Sequence, residues 1–355
     1  MSPALVWIVV GALALAASVL ATGLMLRVLR ARAILDHPNA RSSHEIPTPV
    51  GAGIAVIGVI AFEWLVVWAL DGFGRGAGFS YPVPLIVGLA LTLGAVSWID
   101  DVRRLGVVTR LAVQAAAVLI GIAALSAHGR IFQGLLPYGL DVAVTALAWL
   151  WFINLTNFMD GIDGITGMEA GSAGAGIALL APWVLAAGAA LGLQVPPGFG
   201  LYALIVAAAA AGFLVWNWQP AKIFLGDVGA VPLGFILGWL LLEVAGAGLW
   251  AAALILPLYY LADSSLTLLR RILRRERIFD AHRSHAYQAA ARRFGAHAPV
   301  VVAIFALNIL LIALAFVAST RAGMAVPALI VAAVLTAALL WYFGRDPRSE
   351  PDVHD

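Results

Sequence analysis

The chain has 355 residues, of which 63% are hydrophobic and only 11% charged, and it contains no cysteine. A soluble domain carries about a quarter charged residues, so the composition excludes an ordinary water-solvated globule and points to lipid as the main solvent. The missing cysteines exclude disulfides, thiolate metal sites and cysteine nucleophiles; the net charge of +2 says little by its total, and no nucleic-acid partner is expected.

Apolar runs near 4–28, 50–70, 83–99, 111–127, 140–153, 166–190, 201–217, 232–246, 249–269, 298–318 and 325–343 predict about eleven helices. Lipid tolerates only helices or closed barrels as spans, and runs this continuous are helical. The first run lacks the basic start and the small-residue cleavage site of a signal peptide, so it reads as a retained span. The expected fold is an all-α integral membrane protein forming one polytopic domain over 1–355.

The spans divide the connecting segments between two sides, and 18 of the 21 Lys and Arg residues fall on one of them. That side holds the first loop (31–49), the segments 100–110, 154–165 and 217–231, and the Arg-rich loop 270–297. The positive-inside rule makes this side cytoplasmic, with the N-terminus outside and the C-terminus inside.

The few carboxylates gather on the same side. Asp100-Asp101, Asp160 and Asp163, and Asp227 each stand at the end of an apolar run. A lone Asp at a helix end reads as a cap, and Asp263 and Glu63 stay under that reading. Two adjacent carboxylates repel each other unless a cation or a proton to be abstracted is near. Three acidic segments with Asn154 and Asn157 among them suit Mg²⁺, which takes few protein oxygens and completes its shell with water and phosphate.

The segment Asn154-Leu155-Thr156-Asn157-Phe158-Met159-Asp160-Gly161-Ile162-Asp163-Gly164 reads as a loop with more metal-capable side chains than a chain reversal needs. In Asn217-Trp218-Gln219-Pro220-Ala221-Lys222-Ile223-Phe224-Leu225-Gly226-Asp227-Val228-Gly229, Gly226 and Gly229 would let backbone approach a ligand. There Lys222 could meet a phosphate and Phe224 could stack on a base. His282, Arg283 and His285 could grip a pyrophosphate, against the simpler reading of a basic loop drawn to anionic lipid.

Taken together and in this order, these motifs resemble the polyprenyl-phosphate N-acetylhexosamine-1-phosphate transferases, glycosyltransferase family 4. The likeness runs from about residue 36 to 290. Within the family, Arg-Ser-Ser-His at 41–44 and His-Arg-Ser-His-Ala-Tyr-Gln at 282–288 resemble the branch that initiates O-antigen of lipopolysaccharide and related polysaccharides.

The resemblance implies transfer of an N-acetylhexosamine 1-phosphate from a UDP-sugar to undecaprenyl or another polyprenyl phosphate. UDP-N-acetylglucosamine or its N-acetylfucosamine and N-acetylquinovosamine relatives would be donors, and the membrane would be the bacterial cytoplasmic membrane. By resemblance Asn157 and Asp227 bind Mg²⁺, with Mn²⁺ as a substitute, and Asp160 and Phe224 hold the uracil with Asn217 nearby. Asp100 or Asp101 deprotonates or positions the lipid phosphate, and Asp163 joins them as a catalytic candidate. Asn154, Lys222, His282, Arg283, His285, Arg41 and His44 complete the substrate-binding candidates. The partners expected are the two substrates, with a homodimer admitted.

The chain departs from the family pattern at Val50, Ala52, Arg104, Ala230, Tyr287 and Gln288. These changes argue against the family's alternative reaction, that of phospho-N-acetylmuramoyl-pentapeptide transferase, and leave the sugar pocket open. A secondary transporter would also carry membrane carboxylates, but near the midplane rather than along one side.

Overall fold

The structure, a computed structural model, describes residues 2–38, 46–75, 82–103, 105–276 and 283–345. It is nearly all helical. In chain order the helices are α1 (Pro3–Ala31), α2 (Gly53–Arg75), α3 (Val83–Arg103), α4 (Val107–Ala123), α5 (Tyr138–Met159), α6 (Ile165–Ala190) and α7 (Phe199–Asn217). They continue as α8 (Asp227–Gly246), α9 (Trp250–Ile255), α10 (Leu258–Leu273), α11 (Ala286–Phe294), α12 (Ala298–Thr320) and α13 (Ala325–Gly344). Among the described residues nine are long and apolar enough to cross a membrane: α1, α2, α3, α5, α6, α7, α8, α12 and α13. The protein is therefore a multi-pass membrane protein.

The eleven expected spans thus become nine, for two local reasons. The run at 111–127 falls in α4, only 17 residues long, because the chain leaves the helix after Ala123 and runs through turns as far as His128 and Gly129, both at positive φ. The run at 249–269 is split into α9 and α10 at Pro257, which has no N–H to continue the ladder.

The core is built around α8, 94% of whose span is buried, against 11% for α1. It packs on α2, α3, α5, α6 and α9. Helices in lipid gain little from apolar burial, so close contact and internal hydrogen bonds hold them. Trp149 of α5 shows both: its ring stacks on Phe235 at 4.7 Å and its indole N–H donates to the Phe235 carbonyl at 3.0 Å. Gly121 and Gly238 leave the space its ring fills.

A second close approach positions the site. Gly53 at the start of α2 and Gly229 in the first turn of α8 pass backbone against backbone, so a Cβ on Gly53 would overlap Gly229. The strands β1 (Leu35–Asp36) and β2 (Thr48–Pro49) pair antiparallel, and main-chain bonds then tie the chain to the segment before α8. Phe224 N–H donates to the Pro49 carbonyl, Gly51 and Ala52 N–H to the Phe224 carbonyl, and Gly53 N–H to the Leu225 carbonyl, at 2.8–3.1 Å. Gly229 thus serves helix packing, whereas the sequence suggested an approach to ligand. Gly226, at φ +74°, makes the turn into α8 with Val50 against it.

Candidate active site

Helices extend further into the polar segments than the hydrophobicity of the runs suggests. Asp100 and Asp101 lie in the last turn of α3, Asn154 and Asn157 on the last turns of α5, and Asp227 is the first residue of α8. Only 160–164 of the Asn/Asp-rich segment is non-helical. Asn154 and Asn157 are therefore one turn apart on one helix face.

These helix ends meet at a cavity of about 550 Å³. Asp100, Arg110, Asn154, Asn157, Asp227 and His285 give it a polar end, while Leu93, Val96, Leu111, Leu147 and Val231 wall the remainder with hydrocarbon. Asn157 donates to the Asp227 carboxylate. Asn154 Nδ2 donates to Gln114 Oε1 at 2.8 Å, which links α5 to α4.

The two adjacent carboxylates differ. Asp100 is buried; its Oδ1 accepts the Leu105 N–H at 2.6 Å and its Oδ2 pairs with Arg110 Nη1 at 3.0 Å. Asp101 is exposed and its side chain makes no hydrogen bond among the described residues, yet it lies near enough to Asp227 and Asp100 for their charges to repel. Asp160, which caps the end of α5, has its carboxyl pushed up to about 7, chiefly by burial and further by the charge of Asp227, with a hydrogen bond from Thr166 partly offsetting this.

The hard-oxygen pair of Asn157 and Asp227 fits a Mg²⁺ ion. Among the described residues no three His, Cys, Asp or Glu side chains form a ready-made metal cluster. A site of few protein oxygens is what Mg²⁺ accepts, because water and phosphate supply the rest of its shell.

A neighbouring cavity of about 460 Å³ is lined by Thr48, Asp163, Phe224, Arg283, Gln288 and His297. Phe224 stands there because its backbone is fixed by the pairing to Pro49, Gly51 and Ala52. Asp163 lines this cavity and not the larger one. Its Oδ2 accepts the Ala221 N–H at 3.0 Å and its Oδ1 lies 3.3 Å from His297 Nδ1. Gln219 Oε1 accepts the N–H groups of His297 and Ala298 and so seats the start of α12.

Other candidates have structural partners. Asn217 is buried; its Oδ1 accepts the Gly164 N–H at 2.8 Å and its Nδ2 donates to the Ile223 carbonyl at 2.9 Å, joining the two motif segments to each other. Lys222 is exposed, with its ammonium 5.3 Å from the Trp216 ring centre, and lines neither cavity. Arg41, His44 and His282 lie outside the described residues.

Sequence reasoning did not single out His297, Gln219 or the helix α11. That helix has only nine residues, too few for an apolar run, although its N-cap at His285 with Gln288 three residues on is a capping signature.

Residues 83–245 match the model of glycosyl transferase family 4. A phospho-N-acetylmuramoyl-pentapeptide-transferase of Mycobacterium sp. (strain JLS) is 33% identical over 273 residues, covering 64% of this chain and 73% of that protein. Proteins of the same name from Mycolicibacterium smegmatis and Mycolicibacterium vanbaalenii are each 31% identical, over 66% and 64% of this chain and 74% of theirs.

Proposed function

The chain belongs to glycosyl transferase family 4, a phospho-sugar transferase family, and from that premise we propose that it moves an N-acetylhexosamine 1-phosphate from a UDP-sugar to a polyprenyl phosphate. An oxygen of the lipid phosphate attacks the sugar-side phosphorus, the bond from that phosphorus to the bridging oxygen breaks, and UMP leaves. The product is a polyprenyl-pyrophosphoryl sugar. The observation that carries this reading is the larger cavity, in which Asp100, Arg110, Asn157, Asp227 and His285 stand at one end of a hydrocarbon-walled space. A phosphate on a prenyl chain has that same division of character.

Phosphoryl transfer needs positioning and charge neutralisation more than covalent help. Mg²⁺ held by Asn157 and Asp227 would neutralise pyrophosphate charge. Asp101, exposed beside the clamped Asp100, is the carboxylate able to take the lipid phosphate proton. Arg110 and His285 meet the phosphate oxygens. The smaller cavity takes the nucleotide, with Phe224 as the stacking face and Arg283 near its phosphates. In this reading the whole chain is one domain in the bacterial cytoplasmic membrane, its N-terminus is outside, and the donor arrives from the cytosol.

Two donor readings follow from different observations. The names of the relatives favour UDP-N-acetylmuramoyl-pentapeptide over the O-antigen donors. The residues of the last loop favour UDP-N-acetylglucosamine or a modified relative. Where other branches carry further histidines, this chain has Tyr287 and Gln288, both buried and engaged in seating α11. Purified protein with undecaprenyl phosphate, Mg²⁺ and each UDP-sugar in turn decides between them by UMP release. Release that needs both lipid and metal supports the reaction, and its absence with every donor overturns it.

A further inference from the structure

Asp263 lies on α10, 1% exposed, in neither cavity. Burying a carboxylate is costly unless its oxygens are met by donors, and here both are. Oδ1 accepts the Ala286 N–H at 3.0 Å and the Thr267 hydroxyl at 3.3 Å. Oδ2 accepts the Tyr287 N–H at 3.2 Å and the Tyr259 hydroxyl at 3.1 Å. The two N–H groups belong to the first turn of α11, whose donors have no partner within the helix. A carboxylate there also meets the positive end of the helix dipole.

Two paths lead from this seat to the site. His285, the N-cap of α11, has its Nδ1 3.4 Å from Asp263 Oδ1 and lines the larger cavity with Asp100 and Asp227. Tyr287 donates its hydroxyl to the Phe158 carbonyl at 3.1 Å, and Gly161 has no room for a Cβ beneath that hydroxyl. One buried carboxylate therefore fixes both the imidazole and the backbone that leads into Asp160.

We propose that Asp263 is a positioning residue for the transfer reaction, holding His285 at the polar end of the larger cavity through the N-terminus of α11. The inference rests on the reaction proposed above. Asp263 touches no substrate; its effect passes through His285, so the two residues act as a unit.

The test is a double-mutant cycle on purified, monodisperse protein, read as kcat and KM for both substrates. Wild-type UMP release is measured first, and its absence would count against the reaction itself. Given turnover, Asp263→Asn and His285→Gln are each expected to lower kcat about tenfold or more with donor KM within about twofold, and the double variant to fall no further than the worse single. Asp263→Glu should restore part of the loss. Tyr259→Phe, which removes one donor without burying an unpaired charge, should lower kcat a few-fold in the wild-type background and not at all with His285→Gln. Losses that multiply in the double variant, or a kcat unchanged in both Asp263→Asn and Tyr259→Phe, would overturn the proposal.

Discussion

Asp100 and Arg110 pair at 3.0 Å across the turn between α3 and α4, and the pair sets two adjacent carboxylates apart. Asp100 also receives the Leu105 N–H, so it organises the turn, while Asp101 keeps its oxygens for solvent or substrate. Asp101→Asn is expected to lower kcat by about 10²–10⁴, the range for losing a general base, with an unchanged melting temperature. Asp100→Asn should lower both kcat and melting temperature. UMP release and thermal melts in detergent check this, and a destabilised Asp101→Asn with near-normal turnover would reverse the assignment.

Asp227 is the first residue of α8 and receives a hydrogen bond from Asn157. Its replacement by Asn removes the charge expected to hold Mg²⁺ while leaving the helix start intact. Turnover should be lost although the protein inserts and purifies as a single species, and chelator should abolish wild-type turnover reversibly. Mg²⁺-dependent activity surviving in Asp227→Asn would move the metal elsewhere.

The Asp160 carboxyl is pushed up to about 7 by burial. A carboxyl raised in this way is protonated below that pH, so an interaction that needs the anion weakens as pH falls through 7, by about tenfold per unit below it. Affinity for UDP-sugar in metal-free protein should therefore be lower at acidic than at alkaline pH. Calorimetric titration of Asp160→Asn should show a flat profile, and a wild-type affinity independent of pH would remove Asp160 from donor binding.

Gly53 and Gly229 cross with no space between their backbones. A methyl on Gly53 must push α2 away from α8, and overpacking of this kind costs about 1–3 kcal/mol. Gly53→Ala should lower the melting temperature and the activity together, whereas Gly58→Ala, on the same helix with open space around it, should change neither.

The helical layout was largely legible because lipid demands long apolar runs, although the run at 249–269 is broken at Pro257 and that at 111–127 ends early. Runs do not report where a helix ends once it reaches polar surroundings. Asp100, Asn157 and Asp227 thus looked like loop residues although α3, α5 and α8 carry them. That Asp100, Asn154, Asn157 and Asp227 gather at one cavity was legible from their polarity, because such residues are expensive in lipid, whereas the assignment of Asp163 to the other cavity was not. Partners distant in sequence were not: Asp263 with Ala286 and Tyr287, or Gln219 with His297, are bonds to backbone, which any residue type supplies. For the same reason Asn217, a candidate for the base pocket, proved to be committed to Gly164 and Ile223.

The chain from Pro49 to Gly53 is hydrogen-bonded to Phe224 and Leu225 through main-chain groups. Its path therefore depends little on side-chain identity, apart from Gly51, which sits at φ +121°, and Gly53, where a Cβ would overlap Gly229. Of the residues on that strip, Ala52 is fully buried, whereas Val50 is half-buried and packs against Gly226. Substitution of Val50 can alter the surroundings of Phe224 without re-routing the backbone that aims it. If Phe224 stacks on the base as proposed, the fit to the nucleotide can be tuned at position 50 while the backbone that carries the ring stays where it is.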